Sequence, residues 1–388
     1  MSTLRVFVSH PSSFLTDHRP HGDGLAAWEL LRRLAARGHR FDVAVEHADV
    51  RTPVSGITLH PLCPRARFSV LRPPEQVARV AGLLRALERR GASFDLVHQM
   101  NPVHAGLSAA AGRGHALVLG PYVAAWPAPS ASPSHRGLRG AVHALAGTLM
   151  AGLEAVQQRG AARLVLSTEA ARAQLVPGVR AERCRVVPYG VDTALFHPPP
   201  APPPGAGIAA VGHLEERKGA RVLLEAFREL VTRLPGVHLT FAGEGALRAE
   251  LESRARDWGL GGSVRFAGAL DRPAVARLLR EHRVLCVPSL GEPFGLVALE
   301  GMASGLPVVA TRAGGLQFLV EDGVTGALVP PGDAPALAGA LARVLQDAPL
   351  AASMGRASRA QAVSRFDWER VAEAWEEVYR EAAASGPR

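Results

Sequence analysis

The sequence predicts an α/β protein in two domains, and three observations carry that prediction. Short apolar, β-favouring runs alternate with helix-length segments along the chain, the pattern of βαβ units and parallel sheets. At 388 residues the chain is long enough for two domains that each bury a core. Near its middle, HPPPAPPPGAG at 197–207 reads as a stiff, extended linker.

Composition narrows the class. With 47% hydrophobic and 20% charged residues, the chain reads as globular. No run of eighteen apolar residues occurs, so no membrane span is expected. The start, MSTLRVFVSHPSS, has no signal-peptide core and goes straight into a strand, which predicts a cytoplasmic protein. Cys63, Cys184 and Cys286 are scattered, with neither metal-ligand spacing nor a disulfide framework. Charge divides unevenly: residues 1–187 hold 23 arginines against 12 acids, +11, and the remainder nets −2. A basic half attracts nucleic acid, anionic lipid or an acidic small molecule. No Arg/Gly/aromatic run, helix-turn-helix or zinc-finger spacing accompanies it, so nucleic acid is not expected.

In order, Leu4 to Val8 is a first strand and Leu25 to Ala36 a helix with Leu30, Leu31 and Leu34 on its apolar face; Phe41 to Val45 returns as a strand. Gly22-Asp23-Gly24 opens that helix, without the full glycine pattern of a dinucleotide site, which argues against a dehydrogenase. A helix from Pro74 to Arg90 leads to the strand Phe94 to His98. His98 and Asn101 fall at its end, where ligands bind in such sheets, although a lone histidine there also serves structure. The strand Ala116 to Leu119 ends in Gly120-Pro121-Tyr122. Tyr122, Trp126 and the Pro/Ser-rich residues 127–134 either shape the mouth of a ligand site or form a plain surface loop. From Gly137 to Gln158 a helix carries an apolar stripe, with Arg136 and Arg139 at its start suited to lipid headgroups. Strands at 164–167 and 184–187 complete this half.

After the linker, Ile208 to Val211 is a strand, and Gly212-His213-Leu214-Glu215-Glu216-Arg217-Lys218-Gly219 turns into a helix from Ala220 to Leu234. Lys218 is the chain's one lysine beside 43 arginines. Strands Val237 to Phe241 and Val264 to Phe266 end in glycine-containing turns at Gly243 and Gly268, and a helix runs from Pro273 to Glu281. The most informative stretch follows, VPSLGEPFGLVALEGMASGLPVV from Val287 to Val309. A buried strand stops at Pro288, a Gly/Pro-rich loop feeds a helix starting near Phe294-Gly295-Leu296, and a second apolar run begins at Val308. Free amides of Phe294, Gly295 and Leu296 at that helix start can bind an anion. Glu292 and Glu300 stand beside them. An anion cradle flanked by acids suits a ligand with both phosphate and hydroxyls, such as a sugar nucleotide.

The pattern Glu-Pro-Phe-Gly-Leu-x-x-x-Glu, followed by Gly-x-Pro-Val-Val, resembles the donor-site signature of the retaining nucleotide-sugar glycosyltransferases of family four. The resemblance is strong over about 208–332 and weak over 1–187. It implies two Rossmann-like domains facing across a cleft, the GT-B architecture: an acceptor-binding domain at 1–196, a nucleotide-sugar-binding domain at 208–366, and a C-terminal helix, 367–388, returning to the first. It implies transfer of a sugar to an acceptor with retained anomeric configuration, in glycan, glycolipid or glycoconjugate biosynthesis, with no metal or other cofactor. By the same resemblance Lys218 clamps the donor phosphates, aided by Arg217 or by His213, which stands where relatives carry an arginine. Glu292 holds sugar hydroxyls, Glu300 the ribose, and the amides of Phe294, Gly295 and Leu296 the sugar and phosphate. Gly212, Gly243 and Gly268 border the donor, with the main chain of 266–269 reading the base, and Gly24 lets backbone approach the diphosphate. His98 matches a family histidine, and Tyr122 replaces one near the transferred sugar. The basic half fits an anionic or lipid-linked acceptor and peripheral contact with a membrane. Two rivals stay open: a sugar-nucleotide epimerase on the same architecture, which needs no acceptor, and a non-catalytic binder, prompted by His213, Tyr122 and Tyr189, which replaces the family's asparagine in Pro-Tyr-Gly-Val-Asp.

Overall fold

The computed structural model describes residues 3–9, 14–19, 21–62, 72–100, 114–124, 151–201, 203 and 205–386. The chain divides into two compact units, 1–188 with 369–388, and 189–368.

The first unit is built on a seven-stranded sheet. Its strands are β1 (Arg5–Ser9), β3 (Arg40–Val45), β5 (Ile57–Pro61), β6 (Leu96–Gln99), β7 (Ala116–Tyr122), β8 (Arg163–Leu166) and β9 (Cys184–Val186). Spatial order is β5-β3-β1-β6-β7-β8-β9, and every pairing is parallel. Two short strands, β2 (Phe14–Thr16) and β4 (His47–Asp49), pair beside it. The connecting helices include α1 (Gly22–Ala36) and α2 (Arg72–Arg89), and residues 151–160 are helical. The rest of the expected helix from Gly137, with Trp126 and residues 127–134, lies outside the described residues.

The second unit carries β10 (Ala206–Val211), β11 (Val237–Ala242), β12 (Val264–Phe266), β13 (Val284–Val287), β14 (Val308–Thr311) and β15 (Gly326–Val329). They lie in the order β12-β11-β10-β13-β14-β15, again wholly parallel. Such strands read as continuous apolar runs because both faces are covered. In β10, Ile208 and Ala210 join one core cluster, and Ala209 joins the other. That alternation is the two-residue period of a strand. The helices covering it are α3 (Ala220–Arg233), α4 (Arg248–Asp257), α5 (Arg272–Arg280), α6 (Leu296–Ala303), the single turn α7 (Leu316–Leu319), α8 (Ala334–Gln346) and α9 (Ala348–Phe366).

The last helix, α10 (Trp368–Ser385), packs on the first unit. Its buried residues Val371, Ala372, Trp375, Val378, Tyr379 and Ala382 recur at helical spacing and form one stripe. Glutamates flank that stripe and meet first-unit cations. Glu369 takes Arg33 at 3.0 Å, Glu376 takes His39 at 3.1 Å, and Glu381 takes Arg163 at 2.7 Å and Arg185 at 2.9 Å.

The unit boundary falls at Pro188, ahead of the 196–208 position read from the proline-rich stretch. Residues 189–196 belong to the second unit because they are anchored there. Val191 N donates to Phe366 O at 2.8 Å, Trp368 N donates to Val191 O at 3.2 Å, and Phe196 is fully buried in that unit's core. Gly190 lies flat on the Trp368 ring, where a Cβ would come within 2.4 Å of the indole.

Candidate active site

In the second sheet the strand order reverses between β10 and β13, so their following loops part on opposite faces and leave a crevice at the carboxyl edge. The two loops are fastened together at their base. Leu290 N donates to Arg217 O at 2.9 Å. Gly219 has φ 69°, and a Cβ there would sit 1.9 Å from Pro288 O, so only glycine allows this approach. Just above, Lys218 Nζ meets Glu292 Oε2 at 2.7 Å, joining residues 74 apart in sequence. Ser289 Oγ donates to the same carboxylate oxygen at 3.2 Å.

A third loop, after β14, supports Glu292 from behind. Gly315 N donates to Glu292 O at 2.7 Å. A Cβ on Gly314 would stand 2.1 Å from Glu292 O, and one on Gly315 2.4 Å from Phe294 Cα. Sequence reasoning passed over Ser289, Gly314 and Gly315. Their signals were a hydroxyl three residues before Glu292 and a Gly-Gly pair directly after a buried strand.

Helix α6 starts at Leu296, within the Phe294-Gly295-Leu296 step read from sequence. Gly295, at φ 106°, is its N-cap, and Leu299 N donates to Gly295 O at 3.2 Å. The amides left without helical acceptors are those of 295–298, which include Gly295 and Leu296 of the expected 294–296. Phe294 instead anchors the loop, buried edge-on against Tyr189 with centroids 5.0 Å apart. These amides and the helix dipole favour an anion, Lys218 adds a full positive charge, and Glu292 offers a hydroxyl acceptor.

Glu300 lies on α6, two turns beyond Glu292. The residue keeps some accessible surface, yet its carboxyl is enclosed, and burial pushes it up to about 7 against partial relief from the Arg272 guanidinium. Between the ordinary value of 4.5 and that raised one, the folded chain keeps a proton that the unfolded chain has released. Stability should thus fall as pH rises across this window, by at most about 1.4 kcal/mol per unit. Glu300→Gln should flatten that slope, which melting temperatures taken between those two pH values will show.

The remaining candidates separate. His213 is exposed in the turn before Lys218, and Arg217 is half-buried beside it. Gly212 and Gly243 touch through their backbones: a Cβ on Gly243 would lie 1.9 Å from Gly212 O. Gly268 has φ 73° and sits by the Glu244 carboxylate. In the first unit, Gly24 is a packing glycine, since a Cβ would fall 2.0 Å from Phe14 O, and its amide donates to His21 Nδ1 at 3.1 Å. Its amide is thus engaged within the protein.

His98 is likewise structural. Its Nε2 donates to Gly120 O at 3.0 Å, its Nδ1 accepts from Tyr379 OH at 2.7 Å, and Trp375 packs on the ring. Complete burial lowers it to about 4 despite the Gly120 bond, so the ring stays neutral. Tyr122 is no mouth residue either: it is buried with Phe7, Leu119 and Leu164 in the first core, and desolvation raises its phenol well above the ordinary value. Asn101 lies outside the described residues. Among the described residues, no three His, Cys, Asp or Glu side chains gather as metal ligands would.

The chain is similar to known proteins. Residues 22–195 match the model of Glycosyltransferase Family 4, and residues 196–361 match that of Glycosyl transferases group 1. The chain is 38% identical over 242 residues to the D-inositol 3-phosphate glycosyltransferase of Acidothermus cellulolyticus, covering 57% of this chain and 54% of that one. It is 40% identical over 206 residues to a glycogen synthase of Mycobacterium tuberculosis, covering 52% and 49%. The chain thus spans about half the length of the curated relatives it matches. Among solved structures, the sucrose-phosphate synthase of Thermosynechococcus elongatus superposes with TM-score 0.76 at 24% identity, over 98% of this chain and 100% of that one. HepE of Anabaena with UDP-glucose superposes with TM-score 0.72 at 21% identity, over 97% and 99%. The chain therefore joins a glycosyltransferase family 4 domain to a glycosyl transferases group 1 domain, on the paired parallel sheets of the GT-B fold.

Proposed function

We propose that this protein transfers a sugar from a nucleotide-sugar donor to an acceptor with retention of anomeric configuration. The observation that carries the reading is the Lys218–Glu292 pair, held across the switch point of the second sheet at the start of α6. Each partner suits one half of such a donor. Lys218 and the amides at 295–298 attract the diphosphate, and Arg217 or His213 adds to the positive field. As the bond to the phosphate breaks, negative charge grows there, and Lys218 stabilises that charge more than it stabilises the ground state. Glu292 accepts hydrogen bonds from sugar hydroxyls, and Glu300 from the ribose. HepE, on the same fold, is solved with UDP and with UDP-glucose, which supports a donor of this class.

The acceptor belongs, on this reading, to the basic first half. Two relatives act, by name, on D-inositol 3-phosphate and on phosphatidyl-myo-inositol, both acidic, in keeping with an anionic or lipid-linked acceptor. Among the described residues no helix is long and apolar enough to cross a membrane. The test of the donor site is a melting screen against nucleoside diphosphates. One present at a hundred times its Kd should add about 2.7 kcal/mol of stability. A screen in which none of UDP, ADP or GDP raises the melting temperature removes the donor assignment.

A further inference from the structure

We infer that Ser289 is a positioning residue that holds Glu292 ready for the donor sugar once Lys218 turns toward phosphate. The inference rests on the donor-site reading above. Glu292 Oε2 receives two donors, Lys218 Nζ at 2.7 Å and Ser289 Oγ at 3.2 Å. Its other oxygen, Oε1, takes no hydrogen bond from a described residue, and the side chain keeps 11% of its surface exposed. Both donors therefore grip one oxygen and leave the other for a hydroxyl arriving from solvent.

The two grips differ in permanence. Lys218 sits on a flexible four-carbon stem, and a diphosphate beside it competes with Glu292 for its charge. Ser289 does not face that competition. It is only 1% exposed, it directly follows Pro288 at the end of β13, and its own carbonyl accepts the Thr311 hydroxyl from the neighbouring strand. A hydroxyl has one proton, and here it is given to the carboxylate. When Lys218 swings to the phosphates, the Ser289 bond keeps the Glu292 carboxylate from rotating away. Its contribution should thus appear in the sugar's share of affinity and in turnover, and be absent from binding of the bare diphosphate.

The experiment measures Kd by calorimetry for UDP, ADP and GDP and for their glucose or mannose conjugates, in wild type, Ser289→Ala, Ser289→Thr, Glu292→Gln and the Ser289→Ala/Glu292→Gln double variant. Expected for Ser289→Ala is an unchanged diphosphate Kd, an affinity gain from the sugar reduced about tenfold, and a matching fall in kcat/KM. Ser289→Thr, which restores a hydroxyl, should recover most of both. In the Glu292→Gln background the alanine change should add less than twofold, because Ser289 acts through that carboxylate. Should Ser289→Ala melt early, Ser289→Thr and Ser289→Cys bracket the same comparison with a strong and a weak donor. A sugar gain unaltered in Ser289→Ala, or equal losses for diphosphate and conjugate, overturns the inference while the donor site stands. Wild-type protein that binds diphosphate and conjugate alike, or neither, overturns the donor reading and this inference together.

Discussion

Glu292→Gln should lower transferase turnover at least about a hundredfold while the protein folds as before. The substitution keeps size and shape, so the loop stays fastened through Gly315 N to Glu292 O and through Leu290 N to Arg217 O. What disappears is the negative charge. Lys218 loses its 2.7 Å partner, and sugar hydroxyls lose a charged acceptor whose bonds are about twice as strong as neutral ones. If those bonds tighten as charge shifts from sugar to leaving group, the loss falls on kcat and not on KM alone. Removing one such preorganised contact costs about 10²–10³ in comparable sites. Steady-state kinetics beside melting curves will decide, and full turnover in a well-folded glutamine variant would unseat Glu292.

Lys218→Ala and Lys218→Arg should both fold and both lose most activity, for different reasons. Alanine removes the charge. At about 4 Å and an effective dielectric near 20, the attraction between Lys218 and one phosphate charge is on the order of 4 kcal/mol before desolvation. Arginine keeps the charge and changes its shape. Nζ reaches the Glu292 carboxylate at 2.7 Å from a loop that Gly219 holds tight against the Pro288 carbonyl. A compact ammonium fits there, whereas a planar guanidinium imposes a broad fork. The chain carries arginine at every other cationic position, 43 of them, which sharpens the contrast. Kinetics with the donor found in the melting screen check both variants. An arginine variant with undiminished kcat would make this lysine incidental.

Much of the architecture was legible because parallel strands buried on both faces must be apolar throughout. Runs such as Ile208 to Val211 and Val284 to Val287 could hardly be anything else. Lys218 and Glu292 stood out through their turns and neighbours, yet their ion pair did not. It depends on β10 lying next to β13, a fact of strand order that no local pattern contains. His98, Tyr122 and Gly24 show the opposite limit. A histidine or tyrosine at a strand end looks the same in sequence whether it faces ligand or core. Tyr379, 281 residues away, bonds His98, and the Phe14 carbonyl crowds Gly24, contacts that no local pattern announces. The family models meet at 195/196, where the first domain was read to end, whereas the compact units divide at Pro188. Proline-rich composition marks stiffness, but Val191 and Phe196 ahead of it carry the apolar surface that chooses a side.

The position of α10 has a consequence for how the protein is made. Trp375 and Tyr379 close over His98, and Glu376 and Glu381 meet cations of the turn after α1, of β8 and of β9. Every one of those partners leaves the ribosome well before the helix does. During synthesis the seven-stranded sheet must wait with an apolar groove uncovered and with His39, Arg163 and Arg185 uncompensated. A nascent chain in that state offers a surface for chaperones or for aggregation. The second unit, begun later, holds all its strands and helices by Phe366 and can close first. The half of the protein that is translated first is thus the half completed last.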